Sequence, residues 1–186
     1  MNNRLVTDKV AIITGGTGSL GREIVRAFYE TGYRIGINYL TSDKKAQEFI
    51  EVMGDRAMSV KADISEFKQV SQMAGHIYKK WGRVNVLINN AGITKDSLLI
   101  RQSEKDWERI INVNLKGAFN VIKAFAPLMT EGGHIVNISS YSGVKGKEGQ
   151  AAYSASKAGL LGLTKTAAIE LSEYKIKVNA VLPGYL

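Results

Sequence analysis

The chain has 186 residues, with 25 lysines and arginines against 17 acids, a net charge of +8, and no cysteine. That length suits one domain able to bury a core, and 45% hydrophobic with 23% charged residues is a globular composition. Without a thiol, a disulfide scaffold, a zinc ribbon and a cysteine nucleophile are excluded, and His76 and His134 alone do not make a multi-histidine metal site.

Residues 1–8 lack the apolar stretch of a signal peptide and no later run is long enough to span a bilayer, which points to a cytoplasmic protein with no membrane partner. The positive residues are scattered, without the basic block or basic-aromatic stripe that grips nucleic acid. Such a surface suits phosphorylated or acidic small molecules.

Val10-Ala11-Ile12-Ile13 is apolar on both faces and rich in β-branched residues, which predicts a buried strand. Gly15, Gly16, Gly18 and Gly21 follow, and Leu20, Ile24, Ala27 and Phe28 recur at helical spacing up to a stop at Gly32. The alternation then repeats: a strand over Arg34–Tyr39, a helix over Asp43–Met53, a strand over Ala57–Lys61, a helix over Glu66–Trp81 and a strand over Val84–Ile88. Glu104–Met129 reads as mostly helical, His134–Ile138 as a strand, Ala151–Ser172 as a long helix and Lys177–Leu182 as a sixth strand. This order predicts an α/β fold, a doubly wound parallel sheet of Rossmann type covered on both faces. No linker or repeat interrupts it, so one domain over 1–186 is expected.

Thr14-Gly15-Gly16-Thr17-Gly18-Ser19-Leu20-Gly21 joins the first strand to the first helix. The amino end of a helix offers unpaired N–H groups and the positive end of the dipole to phosphate. Glycines let the backbone turn and let a pyrophosphate approach closely. A bare tight turn is the simpler reading of clustered glycines, and the strand-before, helix-after context favours a dinucleotide. Gly15, Thr17, Gly18, Leu20 and Gly21 are the residues expected to hold it.

A carboxylate after the second strand would bond the ribose 2′-hydroxyl of NAD and repel the 2′-phosphate of NADP. Here Asn38-Tyr39-Leu40-Thr41-Ser42 stands instead, and the first acid, Asp43, reads as a cap or first-turn residue of the next helix. Tyr39, Thr41 and Ser42, with Lys44 and Lys45 close behind, point to NADP rather than NAD.

Tyr153 and Lys157 stand four apart and share one face of the long helix. A nearby ammonium favours a phenolate, so the pair suits acid–base chemistry. Many helices hold such a pair by chance. Here the strand Ile135-Val136-Asn137-Ile138 ends in Ser139-Ser140, and ligands of open α/β sheets bind beyond the carboxyl ends of strands. Ser139 or Ser140 could face that site, since alternate strand residues point opposite ways.

From about Lys9 onward the chain resembles a short-chain dehydrogenase/reductase. The motifs that carry the likeness are Thr14–Gly21, Asp63-Ile64, Asn89-Asn90-Ala91-Gly92, Asn114 within Asn112-Val113-Asn114-Leu115, Ser140, Tyr153 with Lys157, and Pro183-Gly184. The resemblance implies that Tyr153 is the proton donor, that Lys157 assists it while holding the nicotinamide ribose, and that Ser140 orients the carbonyl. It implies a water-borne proton relay at Asn114, adenine contacts from Asp63 and Ile64, an adenosine-ribose wall of Asn90, Ala91 and Gly92, and Pro183 and Gly184 beside the nicotinamide. Blander roles stand beside these: Asn114 could satisfy backbone groups in its helix, Asp63 could cap a turn, and Pro183-Gly184 alone reads as a turn.

Within the family the segment Asn89–Leu99 is most similar to 3-oxoacyl-acyl-carrier-protein and acetoacetyl-CoA reductases. The implied reaction is NADPH-dependent reduction of a ketone, the β-keto group of an acyl thioester, as in fatty acid biosynthesis. Three departures are visible. Ser19 stands where this branch commonly has a glycine. Glu131 and Tyr174, with Lys175 adjacent, replace arginines used for docking acyl carrier protein, which leaves a CoA ester or a free ketone open as substrate. Family members also continue past Pro183-Gly184 into a substrate-covering loop, a helix and one more strand, so the domain is expected to be incomplete at its carboxyl end.

Members usually dimerise through the helices at Glu104–Met129 and Ala151–Ser172, and many form tetramers, so a homodimer or homotetramer is implied. The competing functions are a non-catalytic nucleotide-binding or interaction protein on the same fold, and a sugar or steroid alcohol dehydrogenase.

Overall fold

The structure, a computed structural model, describes residues 8–184. Six strands form one sheet in the order β3-β2-β1-β4-β5-β6, every neighbouring pair parallel. They are β1 (Val10–Ile13), β2 (Arg34–Tyr39), β3 (Ala57–Lys61), β4 (Val86–Asn89), β5 (Gly133–Ile138) and β6 (Ile176–Val181). The helices are α1 (Ser19–Glu30), α2 (Asp43–Met53), α3 (Phe67–Trp81), α4 (Glu104–Ile111), α5 (Gly117–Phe125), α6 (Ser142–Lys145) and α7 (Ala151–Glu170). The chain order reverses between β1 and β4, and that reversal opens a crevice at the carboxyl ends of the central strands.

β1 lies between β2 and β4 and is buried along its whole length, which explains its unbroken apolar run. On one face Ile12 and Leu87 meet Val70, Met73 and Ile77 of α3 and Val121 and Phe125 of α5. On the other, Ile13, Ile35 and Ile37 meet Val25 of α1 and Phe49 and Met53 of α2. Val70, Met73, Ala74 and Ile77 are the buried stripe of α3 at the spacing of one helix face. Gly82, in the left-handed region at φ 71°, closes that helix.

Several element boundaries differ from expectation. The helix over Glu66–Trp81 begins at Phe67, because Glu66 has extended backbone and occupies the cap position. The strand expected over Val84–Ile88 spans Val86–Asn89: the Val84 N–H donates to the Leu128 carbonyl, and the Asn85 side chain takes the N–H of Val10. Glu104–Leu128 is helical throughout, as expected, but in pieces, with a π turn at Asn112–Lys116 between α4 and α5 and a 3-10 turn at Ala126–Leu128. The final helix ends at Glu170, and the last strand is Ile176–Val181 rather than Lys177–Leu182. The sheet is flanked by helices on both faces as expected, except at its β6 edge. In β6, Ile176 and Val178 are buried while Lys177 and Asn179 are exposed, so among the described residues one face of that edge strand is open.

Candidate active site

Thr14, at the end of β1, is fully buried and organises the glycine turn. Its hydroxyl accepts the N–H groups of Asn90 (3.0 Å) and Ala91 (3.1 Å), and the Asn90 amide donates back to the carbonyls of Thr14 (3.0 Å) and Gly15 (3.2 Å). Gly15 has φ +60°, and a Cβ there would lie 2.8 Å from the Ala91 Cα. A Cβ on Gly21 would collide with the Gly15 carbonyl. Both positions therefore need glycine, for backbone conformation and for close approach respectively. Asn38 ties in the second strand: its carbonyl accepts the Gly16 N–H at 2.9 Å and its amide donates to Ala62 at 2.9 Å.

A cavity of about 820 Å³ opens at this turn, within the size range of small-molecule and cofactor sites. It is lined by Gly15, Thr17, Gly18, Leu20 and Gly21, by Tyr39, Thr41 and Ser42, by Asp63 and Ile64, and by Asn90, Ala91 and Gly92. All are among the residues expected from sequence to hold a cofactor; Tyr153, Lys157, Pro183 and Gly184, expected with them, are not in this wall. Two blander roles coexist with this lining. Asp63 also accepts from the N–H (2.9 Å) and hydroxyl (2.7 Å) of Ser65, so it caps a turn, and the amide of Asn90 is committed to the glycine turn.

Lys45, noted in the sequence close behind Ser42, is in the wall; Ser19, Asn38 and Ile93 were missed as wall residues, together with Lys105, Glu108, Arg109, Asn112 and Val113. The last group had a signal: Lys105, Arg109 and Val113 recur at intervals of four, one face of a helix.

Tyr153 and Lys157 sit beside this cavity rather than in its wall. Lys157 is 4% exposed, and its ammonium donates to the Ile138 carbonyl at 2.7 Å. It lies 5.6 Å from the centre of the half-buried Tyr153 ring. Burial pushes the Lys157 ammonium down to about 8. A Cβ added at Gly92 would stand 3.4 Å from this nitrogen and 3.3 Å from the Asn114 Oδ1, so the cavity wall, Asn114 and Lys157 meet at one point.

Asn114 is 1% exposed and its amide is fully engaged. It accepts the Ile93 N–H (2.8 Å) and donates to the Ile93 carbonyl (2.9 Å) and to Ser156 Oγ (3.0 Å). Ser156 in turn donates to the Tyr153 carbonyl at 2.7 Å. Asn114 does satisfy backbone groups, but those of the loop after β4 rather than of its own helix. The π turn that carries it is a feature often found at functional sites.

The two serines after β5 separate cleanly. Ser139 is buried and donates to the Lys157 carbonyl at 2.9 Å. Ser140 is half-buried, its hydroxyl accepting the Ser142 N–H at 3.2 Å. Pro183 lies next to this loop, with its carbonyl accepting the Tyr141 N–H at 3.2 Å, and Gly184 follows it in the open. A buried chain fixes the helix over the sheet: Asn89 donates to Asn137 (2.8 Å), Asn137 to Thr164 (2.9 Å), and Thr164 to the Leu160 carbonyl (2.7 Å).

Asp43 opens α2 as a first-turn residue and bonds the Lys61 ammonium at 2.9 Å. Glu131 pairs with Arg83 at 3.4 Å and Tyr174 is 59% exposed. Among the described residues no helix is long and apolar enough to cross a membrane.

The profile of the short chain dehydrogenase family matches residues 9–186. A 3-oxoacyl-(acyl-carrier-protein) reductase of Staphylococcus epidermidis is 42% identical over 184 residues, 96% of this chain and 75% of the relative. A 3-oxoacyl-(acyl-carrier-protein) reductase of Synechocystis is 40% identical, covering 97% and 75%. One of Thermotoga maritima is 39% identical, covering 96% and 74%.

Proposed function

The chain belongs to the short-chain dehydrogenase family, and from that premise we propose that it reduces the β-keto group of an acyl thioester with NADPH, giving a secondary alcohol. The observation that carries this is the convergence of Gly92, Asn114 and Lys157 where the cavity meets the helix bearing Tyr153. The names of the 39–42% identical relatives support the substrate class.

The cavity fits a dinucleotide in size and in the glycine turn at the head of α1. Thr41, Ser42 and Lys45 in its wall support a 2′-phosphate, with no carboxylate from 39 to 42 to repel one. When bound, a reduced nicotinamide supplies the hydride. As the carbonyl carbon gains it, the electron pair of the C=O bond moves to oxygen, and the Tyr153 hydroxyl gives that oxygen its proton. The Ser140 hydroxyl holds the same oxygen in place, and the Lys157 charge stabilises the phenolate left behind. Asn114 acts by fixing Ile93 and, through Ser156, the backbone at Tyr153.

Glu131, already paired with Arg83, favours a CoA ester or free β-keto compound over one presented by a carrier protein. The outward face of α7, with Ala155, Ala158 and Gly162 exposed, supports a homodimer. The test is NADPH oxidation across a panel of acetoacetyl-CoA, a β-keto acyl carrier-protein thioester, a ketosteroid and a ketose. The reading requires the thioesters to turn over fastest; preference for the steroid or sugar overturns it.

A further inference from the structure

Tyr39 and Lys61 are register partners on the last paired rung of β2 and β3. Asp43, the first residue of α2, reaches back to both. Lys61 Nζ donates to its two carboxylate oxygens at 2.9 and 3.1 Å, and the Tyr39 hydroxyl interacts electrostatically with the same group. Tyr39, Thr41, Ser42 and Lys45 line the cavity, whereas Asp43 and Lys61 lie outside its wall.

We propose that Lys61 determines coenzyme preference without touching the coenzyme, by tethering and neutralising the Asp43 carboxylate at the rim where a 2′-phosphate would sit. This rests on the dinucleotide reading above and adds a residue to it.

The physical argument is one of sign and distance. Asp43 follows Ser42 directly, so a freed carboxylate lies well within a Debye length (about 10 Å) of an anion at the Thr41–Ser42–Lys45 wall and repels it. A freed carboxylate is also the group that accepts a ribose 2′-hydroxyl, so losing the tether hurts a phosphorylated ribose and not a plain one. The Lys61 ammonium, and after it the Tyr39 hydroxyl, hold the Asp43 carboxyl below its ordinary range, so the charge to be neutralised is present throughout the neutral pH range. The other charged groups of the wall are Asp63, Lys105, Glu108 and Arg109, and none of them bonds this cluster among the hydrogen bonds and ion pairs described.

The experiment measures NADPH and NADH dissociation constants by fluorescence titration for the native protein, Lys61→Met, Asp43→Asn and the double variant. Lys61→Met should weaken NADPH about threefold to tenfold at low salt and leave NADH within about twofold or tighter, with the loss shrinking as salt rises. Asp43→Asn should bind NADPH at least as tightly as the native protein, and the double variant should return NADPH to within about twofold of native. Equal changes for both dinucleotides, or no change, overturn the inference and leave the NADPH reading standing. A double variant as weak as Lys61→Met also overturns it, because Lys61 would then contact the phosphate itself. Native protein that binds neither dinucleotide, or NADH at least as tightly as NADPH, overturns the coenzyme reading and this inference with it.

Discussion

The Lys157 ammonium donates to the Ile138 carbonyl at 2.7 Å, so the helix carrying Tyr153 and Lys157 is pinned to the carboxyl end of β5 by one of its own charged groups. That charge is held where water is scarce, and burial moves its titration from 10.5 to about 8. Stability and turnover should therefore respond to pH in opposite directions. Between about pH 8 and 10.5 the unfolded chain holds this proton and the folded protein does not, so this group's contribution to stability rises with pH. Turnover falls over the lower part of the same window, as the charge that supports the phenolate is lost. The check is a pH profile of kcat/KM beside the thermal midpoint. Lys157→Arg, which keeps its charge, should shift the falling limb upward by about one pH unit or more. A limb that stays near its native position belongs to another group.

Leu40 lines the cavity and is 45% exposed. Leu40→Asp places a carboxylate where the sequence has none, and it should weaken NADPH about tenfold while sparing or improving NADH, reversing the order of affinity. Fluorescence titration reads both constants. NADPH still bound tighter than NADH by the native ratio would place the 2′-phosphate elsewhere.

Asn114→Ala removes the partner of the Ile93 N–H and carbonyl and of Ser156 Oγ in a buried setting. Leaving such groups unsatisfied costs about 1–3 kcal/mol each before relaxation, and a net loss of about 2–4 kcal/mol is expected. In a chain of this size that lowers the thermal midpoint by roughly 5–15 °C. A midpoint within about 2 °C of native would mean that water replaces the amide without penalty.

What could be read from sequence was what is local. The glycine turn, the four-residue spacing of Tyr153 and Lys157 and the strand–helix alternation each follow from neighbours in the chain. The role of Asn38 in clasping the glycine turn depends on β2 lying beside β1, and the Asp43–Lys61 pair depends on the register of β2 with β3. Neither is visible before the sheet is built. The π turn at Asn112–Lys116 buries the polar Asn114, so no apolar pattern in the sequence marks it. Strand alternation alone does not orient Ser139 and Ser140; the structure buries Ser139 against the Lys157 carbonyl and leaves Ser140 half-buried.

Of the small residues along α7, Ala152 and Ala167 are buried against the protein's own core, while Ala155, Ala158 and Gly162 face outward beside the exposed Ile169. Phe119 of α5 is 47% exposed as well. Light scattering at micromolar concentration should report a dimer. Gly162→Arg has open space for its side chain and improves helix propensity, so it should give a folded monomer. A native protein that is monomeric at these concentrations contradicts the helix-mediated contact.

The most direct test of the central claim is NADPH oxidation with acetoacetyl-CoA, comparing the native protein with Tyr153→Phe. The substitution keeps the ring and removes only the transferable proton. Native protein should turn over, and Tyr153→Phe should bind NADPH within about twofold of native yet lose on the order of a hundredfold or more in kcat. Turnover by Tyr153→Phe within a few-fold of native, with NADPH binding intact, would contradict the assignment of Tyr153 as the proton donor.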